Sequence, residues 1–355
     1  MPVSSLQEAN AVIGERTFKT IMTDPYVLHG INPSPYSVKM RAILRYRRIP
    51  FVWRATGDPR DVAVAAGLPP VIPVLAFPDG RLMNDSTLLA YALEHEYLGQ
   101  RSIIPDDPVH AYLSDLLEDF GDEWVTKAMF HYRWYYPADR AFAQTWVITS
   151  RDPVMAEAER LAAMQAFNDR QVGRMALVGC TKQNRPVLED SYRFVLDTLD
   201  HHVRAIPFLF GSRPSLADFG LFGQLQILSI DPTPMAEMRG RASDVYCWLL
   251  RLDDASGVEG DWLDPALPLP ATVTALLTHC AGTYLPFLAA NTRALQEGRD
   301  EVSLDILGRP YVQAPFRYQG KCHDALKKKL AALPAPVRAR LDPVLEETGC
   351  IHYLA

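Results

Sequence analysis

The sequence has few cysteines and no paired cysteine motif. Five of its 355 residues are cysteines, the first is Cys180, and no C-x-x-C pair occurs. A scattered, odd number of thiols in a chain of this length is typical of free cysteines in a reducing compartment. The first residues also lack a basic segment followed by an apolar one, so they do not resemble a secretory signal. We therefore expect a cytoplasmic protein without disulfides.

An excess of basic charge is missing as well. Lysine and arginine number 36 against 42 aspartates and glutamates, which gives a formal charge of -6. A general nucleic-acid binder needs a basic excess to displace counterions from phosphates, so we expect no nucleic-acid partner. The longest uncharged stretch, residues 265–292, contains Pro270, Pro286 and several threonines. It is too polar and too interrupted for a bilayer, and no membrane span is predicted.

Metal-binding motifs are also lacking. His201 and His202 are neighbours on a predicted helix, which is poor geometry for joint ligation, and no H-E-x-x-H or acidic cluster at ligand spacing occurs. We predict no metal. The composition, with 48% hydrophobic and 22% charged residues, is that of an ordinary soluble globular protein.

Short apolar runs alternate with helical patterns between Tyr26 and Tyr97, which predicts an α/β domain. The strand candidates are residues 26–29, 51–53, 71–77 and 81–83, and the helix candidates are residues 36–47, 62–66 (weakly marked) and 85–97. Beyond Pro108 the strand signals largely stop, and apolar residues recur at helical spacing. We predict four parts: an N-terminal extension (1–24), an α/β domain (25–100), an all-helical domain (106–264) and a helical extension packed on it (265–355).

The most informative segment is Val71–Leu75, which contains a proline inside a strand-like run. Proline removes a donor from a strand ladder. One resolution is a cis Ile72–Pro73 peptide, placed where the backbone faces a ligand instead of a neighbouring strand. We predict that this bond is cis.

Two predicted helix starts flank this segment. At Asp85–Ser86, free N–H groups and the positive end of the helix dipole can hold a carboxylate. At Ser34–Ser37, a hydroxyl can donate a hydrogen bond to a thiolate. The alternative role for Ser34 is that of a helix cap alone. Ser37 is the second candidate for the thiolate contact, and Tyr36 is expected at a domain interface.

These pieces, in this order and spacing, resemble the thioredoxin-fold N-terminal domain of cytosolic glutathione transferases. The resemblance implies that Ser34 is the catalytic hydroxyl, that Ile72 and Pro73 pair with the cysteinyl unit of glutathione, and that Asp85 and Ser86 hold its γ-glutamyl group. The resemblance also implies that Ser37 is a further glutathione-binding residue. It also implies glutathione as co-substrate, a hydrophobic electrophile as second substrate and a homodimer.

A second resemblance lies in Phe208–Phe219, which matches the family segment FL-x-G-x-x-PS-x-AD. Its physics is structural, because Ser215 and Asp218 have the spacing of a capping box. With the first resemblance it implies a thioredoxin-like α/β domain followed by an all-α helical-bundle domain, with a helical C-terminal extension.

The sequence departs from the family at three places. Most members carry a basic residue just before the cis-proline segment, where this chain has Leu68–Pro70. Arg54 or Arg60 is the candidate replacement for holding the glycyl carboxylate. The helical domain also has an insertion at about residues 137–186, and the chain extends past the usual end.

Three functions remain open at this point. The first is a glutathione transferase that uses the Ser34 hydroxyl to stabilise the thiolate. The second is a non-catalytic adaptor that keeps the fold for binding a partner protein, which the missing basic residue and the extensions favour. A thiol oxidoreductase or reductive dehalogenase is disfavoured, because those usually need a cysteine in the Ser34–Ser37 segment.

The aromatic cluster at Phe130–Tyr136 also leaves two interpretations open. It either lines a pocket for the hydrophobic substrate or forms a buried core with Arg133 reaching towards solvent.

Overall fold

The computed structural model describes residues 25–98 and 101–355, so the extension predicted for residues 1–24 lies outside the described residues. The first part is a small α/β domain whose sheet has the order β2-β1-β3-β4. β1 and β2 are parallel, and β3 runs antiparallel to β1 and β4. Its strands are β1 (Tyr26–His29), β2 (Phe51–Arg54), β3 (Val74–Ala76) and β4 (Leu82–Asn84), and its helices are α1 (Pro35–Tyr46), α2 (Pro59–Ala65) and α3 (Ser86–Glu96).

Pro73 lies just before β3 and not within it. The sequence predicted a strand from Val71, but the ladder begins at Val74, which pairs with His29 and Asn84. The missing N–H of Pro73 therefore costs the sheet no hydrogen bond. The Ile72–Pro73 peptide is cis, as predicted.

Helices form the second part of the fold, as predicted. They are α4 (Pro108–Phe120), α5 (Thr126–Tyr135), α6 (Pro137–Arg151), α7 (Glu157–Gly173), α8 (Arg185–Val203), α9 (Leu216–Leu228), α10 (Pro232–Arg241) and α11 (Ser243–Asp253). Apolar residues recur at helical spacing from Val109 to Trp124, a pattern that predicts one amphipathic helix continuing to about Trp134. Instead, a π-helical turn at Gly121–Val125 separates α4 from α5. Gly121 lies at a close helix contact, because a Cβ atom there would approach the backbone of Gly220 to 2.9 Å.

The capping box predicted at the start of α9 is present. Asp218 accepts from the Ser215 N–H at 2.8 Å and from the Ser215 hydroxyl at 2.6 Å. Its other oxygen accepts from the N–H of Leu209 at 2.9 Å. The carboxylate thus ties the loop before α9 to the helix start.

The C-terminal part is mostly helical, but it also contains a hairpin that the sequence analysis did not predict. Its elements are α12 (Ala271–Gly282), α13 (Tyr284–Glu297), β5 (Val302–Ile306), β6 (Arg309–Gln313), α14 (Arg317–Ala331), α15 (Ala335–Glu347) and α16 (Ile351–Leu354). The two-residue turn Leu307–Gly308 has positive φ at both positions, as tight hairpins require. The extension predicted to be helical therefore contains a β-ribbon as well.

The C-terminal elements share one core with the helical part. The Trp124 ring lies 6.1 Å from Phe287 and 5.7 Å from Tyr311, measured between ring centroids. The Tyr112 hydroxyl donates to the carbonyl of Leu326 at 3.3 Å. Residues Ala271–Glu297 are long and apolar enough to cross a membrane, but 61% of their most apolar window is buried inside the protein. That burial is what a core helix pair shows.

Candidate functional site

A cavity of about 480 Å³ lies between the α/β domain and the helices. Its size is within the range of small-molecule sites. One side, which we call the first wall, comes from residues 31–36, 60, 70–72 and 85–87. The other side, the second wall, comes from α4 to α7 and the segment after α7, with Phe316, Tyr318 and Gln319 from the C-terminal part.

Ser34 lies in the first wall and caps α1. Its Oγ accepts from the N–H of Ser37 at 3.3 Å, so the hydroxyl proton remains available to a ligand. The loop before it is held from the opposite side, because Nη1 of Arg133 donates to the carbonyl of Pro33 at 2.8 Å. Arg133 is fixed in turn by a buried, two-pronged pair with Asp231 at 2.8 and 3.1 Å.

Ile72 lines the cavity, and its backbone groups are unpaired in the part of the chain that the structure describes. Within the described residues, no hydrogen bond joins its N–H or C=O to another group. The preceding segment is fixed by Asn84, whose amide donates to the carbonyls of Pro69 at 2.7 Å and Val71 at 3.3 Å. Pro73 is buried next to Ile72 but does not line the cavity. The unpaired groups of Ile72 can therefore bind the backbone of a peptide-like ligand.

Asp85 and Ser86 form the start of α3 in the same wall. Asp85 caps the helix by accepting from the N–H groups of Thr87 at 3.2 Å and Leu88 at 3.3 Å. Ser86 is the first helical residue, so its N–H has no acceptor within the helix. Oγ of Ser86 lies 3.4 Å from both Nζ of Lys39 and Oδ2 of Asp122.

Ser37 is not brought together with the other predicted site residues. It is fully buried, it does not line the cavity, and its Oγ has no hydrogen-bond partner among residues 25–98 and 101–355. It packs against Gly30, where a Cβ atom would approach Oγ of Ser37 to 2.7 Å. Tyr36 lies at the interface with the helices, as expected, and donates to the carbonyl of Asp122 at 3.0 Å.

A buried charge cluster under Ser86 was missed by the sequence analysis. Lys39 is fully buried on α1, and its Nζ lies 2.6 Å from both Oε1 of Glu118 and Oδ2 of Asp122. The hydroxyl of Thr87 donates to the same Glu118 oxygen at 2.6 Å. A lysine on an amphipathic helix is ordinarily expected on the side that faces solvent. The sequence of α1 therefore did not indicate that Lys39 is buried.

Burial shifts the protonation of this part of the cavity. Desolvation raises the pKa of Asp122 to about 7, although the charge of Lys39 acts in the opposite direction. Desolvation, with the charge of Glu118, also raises the pKa of Asp119 to about 7. Desolvation and the neighbouring acids Asp119 and Asp122 raise the pKa of Glu123 well above its ordinary value. These acids therefore take up protons at a higher pH than ordinary carboxyl groups do.

The aromatic cluster is partly cavity wall and partly buried core, but Arg133 does not reach solvent as the second interpretation expected, because it is buried and paired with Asp231. Phe130, Arg133 and Trp134 occupy one helix face and line the cavity. His131 and Tyr132 point to other partners, with Nε2 of His131 3.1 Å from Glu189 and the Tyr132 hydroxyl donating to Glu237 at 2.7 Å. The cluster thus contributes both to the pocket and to the packing behind it.

Arginines from several elements also line the cavity. Arg60, one of the two candidates for the glycyl carboxylate, lines the cavity, and its Nε donates to Asp58 at 2.9 and 3.1 Å. Arg54, the other candidate, does not line it. Arg151, Arg170 and Arg174 also line the cavity, and none of the three had been singled out from the sequence.

Comparison with known proteins gives a family match for the α/β domain. Residues 28–101 match the family model described as glutathione S-transferase, N-terminal domain. No curated protein matches the chain. The matched range contains Ser34, Ile72, Pro73, Asp85 and Ser86.

Solved structures with a similar arrangement come from several organisms. A β-etherase, LigF, from Sphingobium sp. strain SYK-6 is 18% identical, with 64% of this chain and 94% of that chain covered and a TM-score of 0.44. A glutathione S-transferase from Rhodospirillum rubrum F11 is 15% identical, with 71% and 99% covered and a TM-score of 0.42. One from Methylobacterium radiotolerans JCM 2831, in complex with glutathione sulfonate, is 20% identical, with 69% and 99% covered and a TM-score of 0.38.

Proposed function

We propose that this chain is a member of the glutathione S-transferase family, that it binds glutathione in this cavity, and that it joins the glutathione sulfur to a hydrophobic electrophile. The observation that carries the proposal is the composition of the first wall. The free helix start at Ser86, the unpaired backbone of Ile72 and the Ser34 hydroxyl line one cavity. All three residues lie within the part of the chain that matches the family model.

Each group of glutathione has a complementary partner along this wall. The γ-glutamyl carboxylate would lie at the start of α3, against the N–H and hydroxyl of Ser86. The backbone of the cysteinyl unit would pair with the N–H and C=O of Ile72. Arg60 would face the glycyl carboxylate, in the role that a basic residue at Leu68–Pro70 would otherwise serve.

The chemistry assigned to Ser34 is electrostatic. The thiol proton leaves to solvent, and the Ser34 hydroxyl donates a hydrogen bond to the thiolate without taking that proton. The thiolate then forms a carbon–sulfur bond, and the electron pair it displaces goes to the leaving group or the acceptor carbonyl of the electrophile. Phe130 and Trp134 supply apolar surface for that electrophile.

Removal of the Ser34 hydroxyl tests this role. In the wild type we expect the thiol pKa of bound glutathione to fall below that of the free tripeptide, measured from the ultraviolet absorbance of the thiolate. In Ser34→Ala the pKa should return towards the free value, with a loss on the order of 1.5–3 kcal/mol for a hydrogen bond to a charged group. Ser37→Ala is the matched control, because Ser37 lies outside the cavity. An unchanged thiol pKa in Ser34→Ala would leave Ser34 as a helix cap only.

A non-catalytic adaptor is the second candidate. It is favoured by the replacement of the usual basic residue with Leu68–Pro70, and by the C-terminal side chains of Tyr318 and Gln319 in the cavity wall. Glutathione binding separates the two candidates, because an adaptor does not need the tripeptide.

We place either function in the cytoplasm, where the five free cysteines would stay reduced, and in a homodimer as the family resemblance implies. Light scattering of the full chain measures the second point. A mass of one chain would contradict the homodimer.

A further inference from the structure

Acidic and basic side chains that line the cavity come from different elements. Asp119, Asp122 and Glu123 lie on α4 and the π-helical turn, whereas Arg60, Arg151 and Arg170 lie on α2, α6 and α7, and Arg174 follows α7 directly. Two of the four arginines share one counter-ion, because Arg60 is bonded to Asp58 and Nη1 of Arg151 lies 3.6 Å from the same carboxylate. The part of the cavity lined by these arginines therefore carries an excess of positive charge, and we call it the positive end.

Arg170 and Arg174 have no counter-ion. Among residues 25–98 and 101–355, no hydrogen bond or ion pair is formed by either side chain. The nearest acid along the helix, Asp169, accepts instead from the amides of Gln165 at 2.8 Å and Asn168 at 3.1 Å. Both guanidinium groups are therefore available to an anion that enters the cavity.

Arg170 lies on α7, Arg174 is the C-cap residue of this helix, and the helix packs loosely. No residue of α7 is buried, although the helix contacts α5 and α6. Its inward side contributes Phe167, whose ring lies 5.6 Å from Trp134 and 5.1 Å from the guanidinium carbon of Arg151. Aromatic surface thus adjoins the positive end of the cavity. A flat apolar molecule on Trp134 and Phe167 would bring a substituent next to the arginines.

We propose that the second substrate is a flat hydrophobic molecule bearing a carboxylate, and that Arg170 and Arg174 bind this carboxylate while Trp134 and Phe167 bind its apolar body. The proposal rests on the proposed function, since it concerns the electrophile side of the same cavity. It adds a charge requirement that the aromatic wall alone would not impose. An anion paired with two guanidinium groups gains charge-assisted hydrogen bonds that a neutral analogue lacks.

Direct binding of matched unreactive probes tests the inference without any need for catalysis. The probes are naphthoate and its neutral amide, naphthamide, titrated into the full-length protein by calorimetry in the absence of glutathione. We expect naphthoate to bind about tenfold more tightly, and the preference to shrink as salt is added. In the double variant Arg170→Gln, Arg174→Gln, the affinity for naphthoate should fall to that for naphthamide.

Arg160→Gln is the matched control. Arg160 lies on the same helix but pairs with Glu157 at 2.8 Å and does not line the cavity, so the preference should persist. Glutathione affinity, measured on the same proteins, should be equal in the wild type and the double variant. A failure of the wild type to bind glutathione would then refute the proposed function while leaving the carboxylate preference measurable.

Three results would overturn the inference. Equal affinities of the two probes for the wild type, or no binding of either at millimolar concentration, would show that the cavity does not select a carboxylate. A preference that survives in the double variant would place the anion at another basic side chain of the cavity. A double variant that loses glutathione affinity and keeps the probe preference would assign Arg170 and Arg174 to glutathione instead.

Discussion

The two walls of the cavity differ in how the chain builds them. The first wall comes from one continuous stretch, residues 31–87, in which each polar group lies at the start of a helix or beside a strand. The second wall is assembled from α4 to α7 and from Phe316–Gln319, which are far apart in sequence. The first therefore depends on local geometry, and the second depends on long-range packing.

Loss of the C-terminal part, which supplies Phe316–Gln319 to the second wall, should have the largest effect on stability. Truncation after Leu263 removes large, fully buried side chains, among them Tyr284, Phe287 and Tyr311. Each contributes roughly 1.5–3 kcal/mol of burial before chain entropy is subtracted. We expect insoluble protein or a markedly lower Tm by differential scanning calorimetry. A soluble truncation with unchanged Tm and ligand affinity would show that residues 265–355 form an independent module.

Lys39→Met should weaken the packing of α1 against α4, the two helices that join the first wall to the second. The substitution leaves Glu118 and Asp122 buried without their cation, which typically costs about 3–5 kcal/mol. Arg45→Met, on the same helix, removes only a partly exposed pair with Asp253 and should cost at most about 1 kcal/mol. Urea unfolding measures both free energies. Equal, small losses would mean that the buried cluster does not hold α1 against α4.

These two substitutions also show where sequence reasoning stops. The start of α1 at Ser34, the cis bond at Pro73 and the capping box at Ser215 were predictable, because each depends on residues a few positions apart. The partners of Lys39 lie on α4, across the domain boundary, and nothing in the pattern of α1 distinguishes this lysine from Arg41 or Arg45.

The hairpin and the second wall were missed for related reasons. The turn at Leu307–Gly308 has a single glycine, and β5 and β6 are short, so the periodicity is weak. Arg170 and Arg174 lie on and directly after α7, a helix without buried residues, where charged side chains usually face solvent. A ligand-binding role is indicated only by their place in the cavity wall, which the sequence does not reveal.

A smaller effect is expected from the pH dependence of Asp119. Burial raises its pKa to about 7 in the folded protein, from an ordinary value of 3.8 in the unfolded chain. The folded state therefore holds a proton that the unfolded state has lost, and this contribution to stability disappears as the pH rises from about 4 to about 7. Asp119→Asn should make the loss of stability between pH 5 and pH 8 smaller, by on the order of 1 kcal/mol.

The matched control for this measurement is Asp305→Asn, on an exposed position of β5. It should leave the pH dependence of the unfolding free energy as in the wild type. The same slope in Asp119→Asn and the wild type would contradict the assignment of the proton to Asp119.

Calorimetric titration of glutathione into the full-length wild type, Ser86→Ala and Ser37→Ala tests the central claim most directly. We predict saturable binding to the wild type and to Ser37→Ala, because Ser37 lies outside the cavity. In Ser86→Ala, loss of the hydroxyl's charge-assisted contact should cost about 1.5–3 kcal/mol, or roughly ten- to a hundredfold in affinity. Equal affinities of the two variants would place the γ-glutamyl carboxylate elsewhere, and no binding to the wild type would contradict the glutathione site itself.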